Sequence, residues 1–189
     1  MTEAATALVA LGSNLAFRDL PPPTLVAKVM EEVAALGHGA VSSRIWRSPA
    51  WPPGGPEYAN AVIGLETEHS AEDLLEALHA IEARWGRERV LRWGARTLDL
   101  DLLAWGDSVR PDAATQQAWR DLPPDRQGQE GPDRLMLPHP RLQDRGFVLA
   151  PLAEVAPDWR HPLIGRTVSE MLAALPSAAL EGLAPQGAG

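Results

Sequence analysis

The chain has 189 residues, 45% of them hydrophobic and 22% charged, which is enough for one well-packed core and short for two full-sized domains. With 25 acidic against 17 basic residues, its formal net charge of -8 disfavours broad attachment to nucleic acid or anionic membrane, so any anion recognition must be local. The absence of cysteine excludes disulfides and thiolate metal sites.

In chain order, the stretch MTEAATALVALGSNL lacks a basic segment and is too short in its apolar run to span a membrane, so a cytoplasmic location is expected. Residues 6–11 form a short apolar run closed by Gly12-Ser13-Asn14, the pattern of a buried strand ending in a turn. After three prolines, Val26, Val29, Met30, Val33 and Leu36 follow helical spacing until Gly37. The string VSSRIWRSPAW reads as a strand running into a proline-broken loop.

From Tyr58 the sequence alternates, placing Tyr58, Asn60, Val62 and Gly64 on one strand face and Ala61, Ile63 and Leu65 on the other. A helix follows, with Ser70 as N-cap, a stripe of Leu74, Leu78, Ile81 and Trp85, and Gly86 as its stop. TLDLDLLAW then reads as a strand between Gly94 and Gly106. The order β, α, β, β, α, β predicts an α+β fold, a ferredoxin-like sandwich with an antiparallel sheet and C-terminal helical additions.

Residues 1–175 are expected to form a single domain. Within it, a proline- and charge-rich excursion over about residues 107–137 carries one helical turn near Gln116, and helices are expected near residues 146–155 and 167–175. Residues 176–189, rich in Ala, Gly and Pro, read as a flexible tail.

Chemistry concentrates in RWGRERVLRWGARTLDLDLLAW. Residues two apart on a strand share a face, so Asp99 and Asp101 point the same way while Leu98, Leu100 and Leu102 point into the opposite layer. Two carboxylates so close repel unless a cation sits between them, and Mg2+ suits such a pair because it completes its shell with water and phosphate oxygens. The competing reading is a wet sheet face whose aspartates pair with arginines.

Arg87, Arg89, Arg92 and Arg96 crowd the loop before that strand, and their planar forks suit phosphate oxygens. A P-loop is excluded because the sole lysine, Lys28, lies in the first predicted helix.

The strings ALGSNL, RSPAW, EYANAVIGLET, RWGARTLDLDLL and LPHPRLQDRGFVLAPL, in this order, resemble 6-hydroxymethyl-7,8-dihydropterin pyrophosphokinase, a folate-pathway family. The resemblance implies transfer of pyrophosphate from ATP to the hydroxymethyl group of the pterin, giving AMP. It implies that Asp99 and Asp101 hold two Mg2+ ions and that one of them is a candidate for taking the hydroxyl proton. Arg87 and Arg92 would serve the reacting phosphates and Trp93 the closing loop, while Glu82, Arg89, Arg96, His139 and Arg145 would contact ATP. Tyr58 and Phe147 would sandwich the pterin ring, with Asn60 reading its edge and backbone groups at Gly12, Ser48 and Pro49 assisting.

The partners are then ATP and the pterin, with neither nucleic acid nor membrane, and a monomer is compatible with the sequence. Residues 109–133 are an excess over compact family members, and Pro140 stands where some carry a tyrosine. Two rival classes remain: a ferredoxin-like RNA-binding module, disfavoured by the negative charge, and a phosphohydrolase using the same aspartate pair.

Overall fold

The computed structural model describes residues 4–50, 53–86, 97–123, 126 and 134–187. Its elements run β1 (Ala5–Ser13), α1 (Pro22–Ala34), β2 (His38–Ser42), β3 (Trp46–Ser48), β4 (Tyr58–Thr67), α2 (Ala71–Arg84), β5 (Asp99–Trp105), α3 (Ala113–Arg120), α4 (Gly146–Val155), α5 (Val168–Ala173) and β6 (Ala184–Pro185). The sheet order is β5-β1-β4-β3-β6, with β2 also beside β4, and every pairing is antiparallel. This is the ferredoxin-like α+β arrangement expected, with its second strand split in two.

The split has a local cause. Between β2 and β3, Ser43 keeps a backbone bond to the Val62 carbonyl at 2.9 Å, while its hydroxyl takes the Val62 N–H at 2.9 Å in place of a carbonyl. A side chain therefore substitutes for one rung of the ladder, and the strand bends there.

Alternation along the strands builds two cores. Ala7, Val9, Leu11, Ile63, Leu65, Leu100 and Leu102 meet Leu25, Val29, Leu74 and Leu78 of α1 and α2 on one face. On the other face Leu8, Val62 and Leu103 meet Leu149 and Leu152 of α4 with Val168 and Met171 of α5. The helices expected late in the sequence thus form a third layer. Prolines occupy the first positions of α1, where an N–H would lack a partner anyway, and Ser70 caps α2 by accepting the Asp73 N–H at 3.1 Å.

β5 carries a bulge. Leu8 pairs with Ala104 but Val9 pairs with Leu102, which leaves Leu103 as the extra residue. Leu103 and Ala104 both reach the second core, and Trp105 returns to the first.

α4 is tied to the split strand through Glu154. Its carboxylate accepts from the Arg44 backbone N–H at 2.9 Å, from the Arg44 guanidinium at 2.7 Å and from Trp46 Nε1 at 3.1 Å. These bonds hold the Glu154 carboxyl below its usual range against the opposing effect of burial.

Two expectations need correction. The excursion holds a two-turn helix, α3, capped by the Asp112 side chain on the Thr115 N–H at 2.9 Å, where a single turn was expected. Within the segment expected to be a flexible tail, Ser177–Leu180 form a 3-10 turn and Ala184–Pro185 pair with β3, with the Gln186 N–H bonded to the Ile45 carbonyl at 2.7 Å. An open sheet edge supplies unpaired backbone groups, and this segment satisfies some of them.

His161 gives the fold a pH dependence. It is 1% exposed, and its Nδ1 accepts the backbone N–H groups of Leu163 and Ile164 at 3.2 and 3.4 Å. Burial, with Arg120 nearby, pushes its pKa down to about 4. A depressed histidine contributes stability that is present above its unfolded value, near 6.5, and is lost as the pH falls toward 4. Between pH 7 and pH 4 the chain should therefore lose about 3 kcal/mol more unfolding free energy than its His161→Gln variant. Urea titrations at both pH values measure this double difference, and equal losses would rule out His161 as the source.

Candidate active site

The antiparallel registers carry the site. Gly12 of β1 pairs with Asp99 of β5 on one side and with Asn60 of β4 on the other, while Ala10 pairs with Asp101 and Val62. Trp46 of β3 pairs with Asn60, and Ser48 with Tyr58. Four strands thus set Asp99, Gly12, Asn60 and Trp46 in one row, about 5 Å apart from strand to strand. Asp99 and Asp101 are half-exposed while Leu100 and Leu102 are buried, as the alternation predicts.

Asn60 is 5% exposed, and its amide nitrogen donates to Ser48 Oγ at 2.9 Å. That bond fixes which way the amide points and turns its oxygen toward Gly12, where a Cβ would stand 3.7 Å from Oδ1. The glycine leaves that side of the amide open. Tyr58, on the same strand face two residues away, is half-buried and lines a cleft of about 840 Å3 with Asn14, Trp46 and Arg47. Pro49 follows Ser48 directly and packs against Gly182.

Beneath β5 lies Glu82, which is 2% exposed. Its Oε1 accepts the Leu100 N–H at 2.7 Å, the peptide between the two aspartates. A carboxylate is a strong acceptor, and here it locks the backbone from which Asp99 and Asp101 project. Sequence reasoning assigned Glu82 to ATP, and in the described residues this bond gives it a positioning task at β5.

His139 is held on the far side of the aspartates by the bulge. Its backbone N–H bonds to the Leu103 carbonyl at 2.8 Å. Its Nδ1 accepts the Arg141 N–H at 3.2 Å, which leaves Nε2 as the protonated nitrogen of the neutral ring. Burial, reinforced by the charges of Arg145 and Arg141 and opposed by Asp99, pushes its pKa down to about 3, so the ring is a neutral donor. Arg145 lies over the ring of Phe147, 5.7 Å from its centroid, and Phe147 is 38% exposed at the first turn of α4.

The structure therefore brings Asp99, Asp101, Gly12, Asn60, Ser48 and Tyr58 together on four neighbouring strands, with Glu82 of α2 bonded to β5 and with His139 and Arg145 in electrostatic reach of Asp99 or of each other. Arg87, Arg89, Arg92, Trp93 and Arg96 lie outside the described residues.

Gln116 is a residue that sequence reasoning left without a role. It is 1% exposed, and its Nε2 donates at 2.9 Å to both the Arg110 and Pro138 carbonyls, bracing the segment that carries His139. Only its place in an amphipathic turn of an otherwise aperiodic excursion could have flagged it.

Among the described residues no three His, Asp or Glu side chains converge as a metal cage. The donor set on offer is the Asp99 and Asp101 pair, which fits a hard cation that takes its remaining ligands from water and phosphate.

Comparison with known proteins follows the same outline. Residues 8–157 match the family described as 7,8-dihydro-6-hydroxymethylpterin-pyrophosphokinase. A 2-amino-4-hydroxy-6-hydroxymethyldihydropteridine pyrophosphokinase of Pseudomonas aeruginosa is 40% identical over 178 residues, 93% of this chain and 94% of that one. The enzyme of the same name from Synechocystis is 36% identical over 181 residues, covering 95% of this chain and 80% of its own length.

Crystal structures of Plasmodium falciparum HPPK-DHPS, wild type and wild type with pteroate, superpose with TM-scores of 0.61 and 0.63 at 12% and 11% identity. They cover 92% of this chain, which spans less than half of those longer chains (45% and 44%), and they speak for the fold alone.

Glu82→Ala would leave the buried Leu100 N–H without its acceptor and should cost about 1–3 kcal/mol. Glu82→Gln, which keeps an oxygen, should cost less. Denaturant melts of the two variants decide the matter, and equal, negligible losses would remove the bond from the account of β5.

Proposed function

We propose a division of labour for a chain that belongs to the 7,8-dihydro-6-hydroxymethylpterin-pyrophosphokinase family. Its activity is the transfer of pyrophosphate from ATP to 6-hydroxymethyl-7,8-dihydropterin in folate biosynthesis, with AMP as the other product. The observation that supports the residue assignments is the row Asp99, Gly12, Asn60 across three neighbouring strands, which sets two carboxylates beside an open glycine and an oriented amide.

In this reading the pterin lies over Gly12. The Asn60 oxygen accepts from its donor edge, backbone groups at Ser48 and Pro49 assist, and Tyr58 and Phe147 supply aromatic faces. That orientation points the hydroxymethyl arm toward Asp99 and Asp101. When bound there, two Mg2+ ions would screen the negative charge of the triphosphate and favour the approach of the hydroxyl oxygen.

The oxygen attacks the β-phosphorus in line, the bond from the β-phosphorus to the oxygen shared with the α-phosphate breaks, and AMP leaves with that electron pair. Asp99 or Asp101 would accept the hydroxyl proton. His139, neutral and with Nε2–H free to donate, suits a phosphate or ribose oxygen, and Arg145 adds charge beside it. Arg87, Arg89, Arg92 and Arg96 would neutralise the phosphates, and Trp93 would help exclude water. Glu82 acts through the β5 backbone and would touch ATP only at its edge.

No helix among the described residues is long and apolar enough to cross a membrane. We place the activity in the cytoplasm, where both substrates are small solutes.

Incubation with ATP and Mg2+ should yield AMP only when the pterin is added. AMP or phosphate release without pterin would instead favour a hydrolase. Asp99→Ala and Asp101→Ala should each lower turnover by at least about 100-fold while the unfolding midpoint stays near that of the parent chain. Turnover within a few-fold of the parent would refute the metal assignment. Tyr58→Ala should weaken pterin binding by about tenfold and leave affinity for a nonhydrolysable ATP analogue in place, as calorimetry can read.

A further inference from the structure

The segment that sequence reasoning expected to fray crosses two parts of the assigned pterin site at positions where only glycine fits. At Gly146, the first residue of α4 and the neighbour of Phe147, an added Cβ would stand 2.2 Å from the Ala179 carbonyl oxygen and 3.1 Å from a Leu183 methyl. At Gly182, whose φ of +71 suits glycine, an added Cβ would stand 2.6 Å from Pro49 Cγ. The backbone of this segment thus lies directly against the start of α4 on one side and against Pro49 on the other.

Downstream it becomes β6, with Trp46 paired to Pro185, Arg47 to Ala184, and the Gln186 N–H on the Ile45 carbonyl. Pro185, Gln186 and Gly187 line the same cleft as Tyr58 and Trp46. Three independent contacts therefore converge on the aromatic end of the site.

We infer that residues 177–187 are a positioning strap for the pterin end of the site, setting the separation between the Pro49 loop and the Phe147 end of α4 and walling the Tyr58 cleft. This rests on the assignment of Pro49, Tyr58 and Phe147 to the pterin. The strap acts by pre-organisation. A flat ring held between two aromatic faces gains from a gap already at the right width, and each wall that must be ordered on binding costs affinity. The triphosphate end, at Asp99 and Asp101 on the other side of β1, receives none of these contacts among the described residues, so the strap should discriminate between the two substrates.

The test uses the full chain. Gly182→Val adds a β-branched side chain at positive φ against Pro49. Gln186→Pro removes the N–H that bonds Ile45 and perturbs β6 without touching Gly182. Gly165→Val is the control, because Gly165 has the same φ of +71 but open space around its Cβ.

Calorimetry then measures pterin binding to each variant saturated with α,β-methylene ATP and Mg2+, and separately the binding of that analogue. The strap predicts about tenfold weaker pterin binding in Gly182→Val and Gln186→Pro, with analogue affinity held within about twofold and the control unchanged in both. Unchanged pterin affinity in whichever of the two strap variants folds, or an equal fall for both ligands, would overturn it. Failure of the parent chain to bind pterin at all would instead refute the assignment of these residues to the pterin, so the two failures are distinguishable.

Discussion

The antiparallel pairing of β1 with β4 on one side and β5 on the other is the constraint from which the rest follows. Because side chains alternate on a strand, one register decides at once which residues pack and which face the site. Slipping either pair by one residue would bury Asp99 and Asp101 among Leu25, Leu74 and Leu78 and turn Leu100 outward. The burial of Leu100 and Leu102 makes such a slip costly, and the Glu82 carboxylate on the Leu100 N–H adds a polar lock at the same point. The hydrophobic layer and the acidic pair are two consequences of one alignment.

The bulge at Leu103 extends that logic. An extra residue in β5 turns the Leu103 carbonyl to the His139 N–H, and the segment around His139 is braced a second time by Gln116. A long excursion can then leave the sheet at Gly106 and return at His139 without loosening the imidazole. The same economy is visible on the opposite edge, where Glu154 gathers Arg44 and Trp46 onto α4 and fixes the strand that presents Ser48.

Much of this was legible in the sequence because it depends on short periods. The alternation of TLDLDLL gave the direction of both aspartates, the Tyr58 to Gly64 alternation put Asn60 on the correct face, and Ser70 marked the start of α2. What sequence reasoning missed depends on partners distant in the chain. The Ser43 hydroxyl that breaks the second strand answers to Val62, Gln116 answers to Pro138, and Glu82 answers to Leu100.

The segment after Pro176 misled for a related reason. Its Ala, Gly and Pro content suits disorder in isolation, yet its glycine allows the close approach that Pro49 requires, and only the folded sheet edge reveals the use.

The central claim is that Asp99 and Asp101 hold divalent ions against a bound triphosphate. A crystal structure with α,β-methylene ATP, the pterin and Mg2+ tests it most directly. The account predicts ions with carboxylate oxygens of both residues at about 2.0–2.1 Å and phosphate oxygens completing their shells. Carboxylates turned to solvent or to arginines, with the ions held by phosphate and water alone, would contradict it.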